Sequence, residues 1–488
     1  MRLYLINPAN PLVSITKESY WNQFRVWKPL GLLIVGALTP DTWETRVFDE
    51  NMGVPDYEAL PRPDVVGITA FTSQATRAYE LAGEWRARGV RVVMGGIHAS
   101  MCPDEAAQHV DAVVLGEAEG NWKQVVADLE RGQLAPRYEA AYVETDEIPA
   151  ARHDLLPKGY RFGSIQTTRG CPLNCSFCSV TAFNGKRYRL RPVEQVVEEL
   201  AQIREKHILV VDDNLFGTRK DHLARSKELM RAIIAAKLNK KWICQSTINM
   251  ADDEEMLALA KESGCFGVFI GFETVTKEGQ AEIHKKINAR KGRDLKQQVE
   301  TIQRYFPVLG AFVMGLDVDQ RGIGTLIADT ANHYGVDVLN ALILTPLPGT
   351  DLWRRLDQEQ RIVSKDFPHD WQYYTLNHPV MRYSHLSWSD VVDEMRDCYR
   401  GFYSFPRIAR RVLRIAWRTR HLTSTLAILV TNLSYRLNLE RDLETYRSME
   451  LAKGAPHGNG KPAGEPPAGE PAKRLPVASE VTANEERG

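Results

Sequence analysis

Short apolar runs alternate with helical patterns along the first 145 residues of the chain. The runs that have the length of strands and are bounded by turn residues are Leu3–Ile6, Val65–Thr69, Val92–Gly95 and Ala112–Leu115. Between the second and the third run, the stretch Ala75–Arg88 repeats its apolar residues at the spacing of an amphipathic helix. Strands that alternate with helices in this way predict a doubly wound, Rossmann-like parallel α/β sheet over residues 1–145.

The alternation weakens over residues 146–160, where charged residues and proline predict a linker, and it then resumes. Residues 161–350 contain six successive βα units. Such a series predicts a partial or full parallel (β/α)6 TIM-like barrel, with its functional groups at the carboxyl ends of the strands. The expected strands are Ser164–Thr168, Leu209–Asp212, Trp242–Thr247, Gly267–Gly271, Ala311–Met314 and Leu339–Leu344.

The carboxyl-terminal part of the chain has a different pattern. Residues 351–452 are rich in aromatic side chains and mostly helical in periodicity, so we expect a helical region there. Residues 453–488 consist largely of Gly, Pro, Ala and charged residues, a composition typical of a disordered tail.

Composition narrows the class of protein. The 488-residue chain carries 62 basic and 62 acidic side chains, so it has no overall field that would attract nucleic acid, and we expect no such partner. The chain opens directly with a strand pattern, and no apolar run approaches the ~20 residues that span a membrane. We therefore expect a cytoplasmic protein.

Three of the seven cysteines lie within eight residues, directly after the first expected barrel strand. Cys171, Cys175 and Cys178 have the spacing C-x3-C-x2-C. Three thiolates can hold a [4Fe-4S] cluster and leave one iron open to a non-protein ligand. The alternatives are buried structural cysteines or a zinc site, although zinc requires a fourth ligand and the nearest upstream histidine, His153, lies beyond the strand. The scattered cysteines are expected to be small core residues.

This cysteine spacing, with the aromatic Phe177 just before the last cysteine, resembles the signature of the radical S-adenosylmethionine (SAM) superfamily. The resemblance implies that the three cysteines bind three irons while SAM chelates the fourth. One electron then cleaves SAM, and the resulting 5′-deoxyadenosyl radical abstracts hydrogen from the substrate. A reducing partner such as flavodoxin or ferredoxin is implied as well.

Weaker parts of the same resemblance follow the second and fourth expected strands. Asp212 and Asp213 end the second strand, and Glu273 ends the fourth. The family places contacts to the ribose and amino-acid portions of SAM at these positions, and Phe177 is expected beside the same cofactor. Helix capping or a barrel salt bridge is the alternative for the three acidic residues. The Gly-Gly-Glu form of the second-strand motif is missing.

The N-terminal α/β domain resembles the cobalamin-binding domain that precedes the barrel in one radical SAM subfamily. Two of its strands are followed by loops at the edge where open sheets bind ligands. The cofactor-binding residues expected in these loops are Gly95, Gly96, His98, Gly116 and Glu117. The Asp-x-His-x-x-Gly motif that supplies a lower ligand to cobalt elsewhere is absent, so we expect cobalamin to bind without that histidine. Tight turns alone, or a docking module that no longer binds corrin, are the alternatives.

Further likeness, in Ser164–Gln166, Asp212–Asn214 and Leu344–Thr350, is to the hopanoid C-methylases of bacteria. It implies a cobalamin-dependent methyltransferase that acts on an unactivated carbon of a hydrophobic, lipid or hopanoid-like substrate. The same architecture serves the anaerobic oxidative cyclase of bacteriochlorophyll synthesis, which is the first alternative. An Fe-S sensor or docking protein that does not cleave SAM is an alternative of another class.

One helical stretch near the end of the chain bears on localisation. Arg407, Arg411, Arg414 and Arg418 fall on one stripe of this helix, beside Trp417 and aliphatic residues. The pattern is typical of an interfacial helix and predicts peripheral contact with the inner membrane. The alternative is a packing helix whose arginines pair with acids elsewhere in the chain.

Overall fold

The computed structural model describes residues 1–12, 26–285, 287–288, 294–419, 425–426, 428–437 and 446. Most of the described residues belong to two parallel six-stranded sheets and the helices that cover them. The tail predicted over residues 453–488 lies outside the described residues.

The first sheet has the order β2-β1-β3-β4-β5-β6, and every neighbouring pair is parallel. Its strands are β1 (Arg2–Asn7), β2 (Glu44–Asp49), β3 (Val65–Thr69), β4 (Arg91–Gly95), β5 (Ala112–Leu115) and β6 (Arg137–Glu139). The strand order reverses between β1 and β3, as in doubly wound folds. The predicted doubly wound sheet is therefore confirmed.

Helices cover both faces of this sheet. They are α1 (Leu30–Leu38), α2 (Ala75–Ala87), α3 (Gly96–Met101), α4 (Pro103–His109) and α5 (Trp122–Arg131). Successive residues of β1 point to opposite faces: Leu3 and Leu5 pack with α1 and α5, whereas Tyr4 and Ile6 pack with α2. Burial on both faces explains why the strand patterns are continuously apolar rather than alternating.

The stretch that follows the first sheet, predicted as a linker, is packed against α1. It contains two short 3-10 turns, Thr145–Glu147 and His153–Leu155. Ile148, Ala151 and Leu156 are buried in the same apolar cluster as the α1 side chains. The connection thus contributes to the core of the N-terminal region.

The second sheet has the order β14-β13-β12-β11-β10-β7, again with all pairs parallel. Its strands are β7 (Phe162–Ile165), β10 (His207–Val210), β11 (Lys241–Ser246), β12 (Cys265–Glu273), β13 (Val308–Met314) and β14 (Val338–Ile343). The strands β7 and β14 are its two edges, so the sheet is a partial barrel, as predicted. Between β7 and β10, β8 (Thr168–Arg169) and β9 (Arg189–Leu190) form a short antiparallel pair.

Helices follow the barrel strands and continue beyond them. They are α6 (Ser179–Asn184), α7 (Val193–Gln202), α8 (Lys220–Ala236), α9 (Glu254–Ser263), α10 (Lys277–Glu282), α11 (Leu295–Gln303), α12 (Ile323–Tyr334), α13 (Asp351–Gln358), α14 (Trp388–Phe402) and α15 (Phe405–Thr419). Helix α14 lies along β14, where the Tyr399 and Tyr403 hydroxyls bond to the backbone of Ala341 and Leu339. The predicted helical C-terminal region is confirmed.

The arginine stripe of α15 faces the barrel. Arg411 is only 4% exposed, and it donates to Asn332, Asn432 and the Phe402 carbonyl oxygen. Arg414 donates to Gly335 O, and Arg407 pairs with Asp329. The prediction that this stripe lies on headgroups is therefore wrong, and the packing alternative is confirmed, because a periodic pattern does not say which side of a helix faces solvent.

Within the described ranges, no helix has the length and apolar character needed to cross a bilayer.

Candidate cofactor site

The three clustered cysteines lie in one loop beyond the carboxyl end of β7. The loop begins at Gly170, where φ is +81° and an added Cβ would overlap the Arg187 carbonyl oxygen, so only glycine fits. The antiparallel pair β8–β9 closes the base of the loop. Within it, the Cys178 N–H donates to Cys175 O at 3.2 Å, and both residues and Cys171 are free thiols. The fold therefore presents three thiols from a single constrained loop.

Burial controls the protonation of these thiols. It raises the pKa of Cys171 to about 11 and that of Cys175 to about 12, and it also raises the pKa of Cys178. Such thiols are protonated near neutral pH, so binding of iron must release their protons.

The cysteines are not arranged around one ion. Among the residues that the structure describes, no three His, Cys, Asp or Glu side chains form a group that could hold a single metal ion. In a [4Fe-4S] cube each thiolate binds a different iron, and the cluster does not require the sulfurs to converge on one point.

Asp212 and Asp213 have different roles at the end of β10. The carboxylate of Asp212 is fully buried and accepts hydrogen bonds from the Thr167 N–H and hydroxyl, both at 2.6 Å. It thereby fixes the chain that leads into the cysteine loop. Burial, together with the charge of Asp212, raises the pKa of Asp213 to about 7. The Asp213 carboxylate accepts from Asn184 Nδ2 at 3.4 Å, so it borders the helix α6 that follows the cysteine loop directly.

Glu273 and Phe177 border the same region. Glu273 ends β12 and forms an ion pair with Lys285, with Nζ 2.7 Å from Oε1. Phe177 is partly buried against the main apolar core. Together with Asp213, they bring side chains from three separate parts of the chain to the edge that carries the thiols.

The carboxyl edge of the N-terminal sheet is built from backbone. Gly95 and Gly96 join β4 directly to α3, and at Gly96 the φ of +87° and the closeness of Thr69 Oγ1 leave no room for a Cβ. Gly116 follows β5 with φ of +76°, and its N–H donates to Ser100 Oγ at 3.0 Å. Two neighbouring loops therefore turn at glycines along the edge where open sheets bind ligands.

His98 lies behind this edge and is fully buried. Its Nε2 is 2.8 Å from the Tyr79 hydroxyl, and its ring meets Trp371 edge-on with centroids 5.1 Å apart. The partners of His98 therefore come from α2 and from the segment after the barrel. This packing holds the α3 loop against the C-terminal part of the chain.

Glu117 joins the two sheet edges. Its carboxylate accepts from Arg189 Nη1 at 2.8 Å and from the Val143 N–H at 3.0 Å, and it lies 3.3 Å from Arg169 Nη1. Arg169 also pairs with Glu119 at 2.5 Å. Burial alone would raise the pKa of Glu117, but the Arg189 hydrogen bonds and the Arg169 charge hold it below its usual value. Because both arginines belong to β8–β9, the N-terminal sheet is tied to the base of the cysteine loop.

The pattern along the chain gave no signal for Lys285 or Arg189. Lys285 lies 12 residues after Glu273 in a polar stretch without a motif. Arg189 reaches Glu117 across 72 positions of sequence. Their roles depend on tertiary contacts.

The fold and this site define a protein that joins an open-sheet ligand domain to a partial barrel with a cysteine loop for a metal cluster. Family models agree: the Radical SAM superfamily matches residues 165–321, and the B12 binding domain matches residues 25–126. An uncharacterized methyltransferase of Pyrococcus horikoshii is 30% identical over 78% of this chain and 88% of its own length. The chain therefore belongs to the radical SAM superfamily and carries a B12 binding domain.

Two further relatives and one solved structure are similar to this chain. The hopanoid C-2 methylase of Rhodopseudomonas palustris is 28% identical, covering 69% of this chain and 66% of its own. An anaerobic magnesium-protoporphyrin IX monomethyl ester cyclase of Rubrivivax gelatinosus is 24% identical over 76% of this chain and 70% of its own. The solved structure of TsrM from Kitasatospora setae, a radical SAM methyltransferase, superposes with a TM-score of 0.61 at 16% identity, covering 82% of this chain and 88% of that one. The last likeness shows a shared fold.

The residues present fit the cofactors of this family, which are a [4Fe-4S] cluster, SAM and cobalamin. The three free thiols provide cluster ligands and leave one iron for SAM. The glycine turns after β4 and β5 lie at the carboxyl edge where open α/β sheets bind ligands, which is the position a corrin requires.

Proposed function

We propose that this radical SAM enzyme is a cobalamin-dependent methyltransferase that acts on an unactivated carbon of a hydrophobic, lipid or hopanoid-like substrate. The observation that carries the proposal is the buried pairing of Glu117 with Arg189. It ties the glycine edge of the N-terminal sheet to the hairpin that frames the cysteine loop. Two cofactors that act on one substrate carbon need such adjacency.

Each part of the site has a role in this proposal. Cys171, Cys175 and Cys178 hold the cluster, and Asp213, Glu273 and Phe177 border the SAM that completes it, while Asp212 supports the loop. Gly95, Gly96 and Gly116 would carry the cobalamin, and His98 and Glu117 would hold those loops from behind. When bound, the cluster supplies the electron that cleaves SAM, and cobalamin supplies the methyl group. An external reductant of the flavodoxin or ferredoxin type provides that electron.

The experiment is anaerobic incubation of the reconstituted protein with SAM, reductant, cobalamin and a bacterial lipid extract. Mass spectrometry should find a lipid heavier by one methylene unit, and SAM labelled in its methyl group should transfer the label. The Cys175→Ala variant, treated identically, should give no product. Cleavage of SAM without a methylated lipid, together with oxidation of an added tetrapyrrole ester, would instead support the cyclase reaction.

We also propose peripheral contact with a membrane, through a surface different from the arginine stripe. The outer face of α15 exposes three large apolar side chains: Phe405 is 63% exposed, Leu413 70% and Trp417 81%. The exposed Arg410 lies next to this face. An apolar face bordered by a cation suits binding to an anionic bilayer surface. It lies toward the amino end of β14, because Arg414 of the same helix bonds Gly335.

Sedimentation with anionic liposomes tests this contact. The wild-type protein should sediment with them at low salt and less so at high salt, since the Arg410 contribution is screened. The double variant Leu413→Ser and Trp417→Ser should remain in the supernatant. Val54 is 60% exposed on the N-terminal region, so Val54→Ser is a matched control that should sediment like the wild type. Equal recovery of wild type and double variant would remove the proposal.

A further inference from the structure

The end of β12 is bent by a bulge. Its register with β13 shifts between Gly271 and Glu273, and Glu273 has φ of +65°. A residue with a side chain is strained in this conformation, and such strain persists only where surrounding contacts enforce it. The bulge turns the Glu273 carboxylate back over Gly271, where an added Cβ would overlap it and would lie 2.7 Å from Lys285 Nζ. The glycine thus leaves space for one particular ion pair.

Lys285 is the cation of this pair, and its position is fixed. Its Nζ donates to Glu273 Oε1 at 2.7 Å and to the Gly271 carbonyl oxygen at 2.8 Å. Asn288 donates to the carbonyl oxygens of Gly271 and Phe272, each at 3.1 Å, and so holds the same segment against β12. Lys285 is 5% exposed, so solvent screens its charge little.

The segment that carries Lys285 also touches the cysteine loop. The Ile283 carbonyl oxygen accepts from the Ser176 N–H at 3.3 Å, between two of the cluster ligands. Lys285 follows Ile283 by two residues and is anchored to the end of β12 through Gly271 and Glu273. Its buried ammonium group therefore lies at the carboxyl edge of the barrel that also carries the cysteine loop.

The carboxylate of Glu273 is the partner of this ammonium group at the same edge, so its negative charge opposes the field of Lys285 there. Reduction adds a negative charge to an iron–sulfur cluster, and a buried cation near the ligands favours the reduced state.

From this geometry we infer that Lys285 sets the reduction potential of the cluster held by the three cysteines, by placing a fixed positive charge at the edge that carries the cysteine loop while Glu273 limits its effect. Removal of Lys285 makes the cluster harder to reduce. Removal of the Glu273 charge makes it easier. The inference requires the cluster but not methyl transfer, so it stands or fails separately from the proposed function.

The test is a redox titration of the reconstituted full-length protein in the absence of SAM. Electron paramagnetic resonance monitors the reduced cluster and gives its midpoint potential. Lys285→Met should shift the midpoint potential to more negative values, and Glu273→Gln should shift it to more positive values. The double variant should lie between them. Opposite shifts from the two partners of one pair distinguish an electrostatic role from loss of structure, which would affect both variants in the same way.

The chain offers a matched control. Lys28 and Glu205 form another buried pair, with Nζ 2.6 Å from the carboxylate and side chains 3% and 9% exposed. Lys28→Met should lower the free energy of unfolding but leave the midpoint potential unchanged. A Lys285→Met protein with full iron content and the wild-type potential would overturn the inference. If that variant does not load its cluster, an unshifted potential in Glu273→Gln overturns it equally.

Discussion

The carboxyl edges of the two parallel sheets are joined to each other but built in different ways. On the N-terminal sheet the edge is backbone, with Gly96 and Gly116 in conformations that suit glycine, and its polar side chains pair within the protein. On the barrel the edge carries three free thiols and the strained Glu273. The edge of the N-terminal sheet is thus defined by its backbone turns, whereas the edge of the barrel provides metal-binding thiols and charged groups.

This difference matches the two cofactors. A corrin is large and rests on a broad surface, so the loops beneath it must keep their backbone turns, and at Gly96 and Gly116 those turns need glycine. An iron–sulfur cluster is small and is held by a few covalent bonds to thiolates. Adding atoms should therefore damage the first edge, whereas removing atoms should damage the second.

The largest effect is expected at the barrel edge. Cys175→Ala removes one of three cluster ligands, so the reconstituted protein should lose its iron and form no 5′-deoxyadenosine. Iron analysis and chromatography of the nucleoside product measure both. Cys398 is fully buried in α14, and Cys398→Ser should retain cluster and cleavage. Cleavage of SAM by Cys175→Ala at the wild-type rate would contradict the assignment of this edge as the cluster site.

The next effect is expected at the glycine edge. Gly96→Val places a side chain where Thr69 already lies and forces a left-handed backbone conformation on a β-branched residue. We expect this variant to lose cobalamin binding and to keep the iron content of the wild type. Absorbance spectroscopy and calorimetry measure the binding of cobalamin. Gly83→Ala is the control, because an added Cβ there meets nothing within 4 Å and should leave cobalamin binding intact. Cobalamin binding by Gly96→Val at wild-type affinity would contradict the role of the glycine edge.

A smaller effect is expected where the edges are tied together. In Glu117→Gln the buried Arg189 loses its charge partner, which costs about 3–5 kcal/mol of folding free energy when both groups are desolvated. The exposed pair Arg187–Glu144 is the control, since its side chains are 70% and 55% exposed. Glu144→Gln should cost less than about 1 kcal/mol. Denaturant unfolding of the apo protein compares the two variants, and equal costs would show that the buried tie is unimportant.

The pH dependence of stability also tests the role of Glu117 in joining the two sheet edges. The pKa of Glu117 is lower in the folded protein than in the unfolded chain, so its contribution is complete above the unfolded value of about 4.3. That contribution is lost as the pH falls through the folded pKa. The wild type should therefore lose more stability than Glu117→Gln when acidified below that value. Parallel pH profiles for the two proteins would contradict this assignment.

Local patterns predicted the parts of the molecule that depend on neighbours in sequence. The spacing of Cys171, Cys175 and Cys178 indicated the cluster loop, and the continuous apolar runs indicated strands such as β3 and β5, which are buried on both faces. The strands β2 and β6 were not predicted. Both contain alternating charged residues, and β6 has three residues at the edge of the sheet. A short or half-exposed edge strand has too little apolar pattern to be recognised.

Contacts between distant segments could not be predicted from patterns. Lys285 acquires its role only because a bulge at Glu273 turns one carboxylate toward it. The arginine stripe of α15 was identified correctly as a stripe, yet its direction depends on Asp337 and Asp329, which belong to other elements of the barrel. Periodicity groups residues on one side of a helix, but tertiary packing decides what that side meets.

The tyrosine hydroxyls beside β14 have a consequence for how copies of the protein behave together. An open sheet edge exposes unpaired N–H and C=O groups, which can recruit a strand from another molecule and begin aggregation. Tyr399 and Tyr403 each donate to a β14 carbonyl oxygen and accept from the N–H of the same residue. Two phenol groups thus occupy bonding positions that a neighbouring strand would use. The barrel can remain incomplete on this side without offering its edge as a template for self-association.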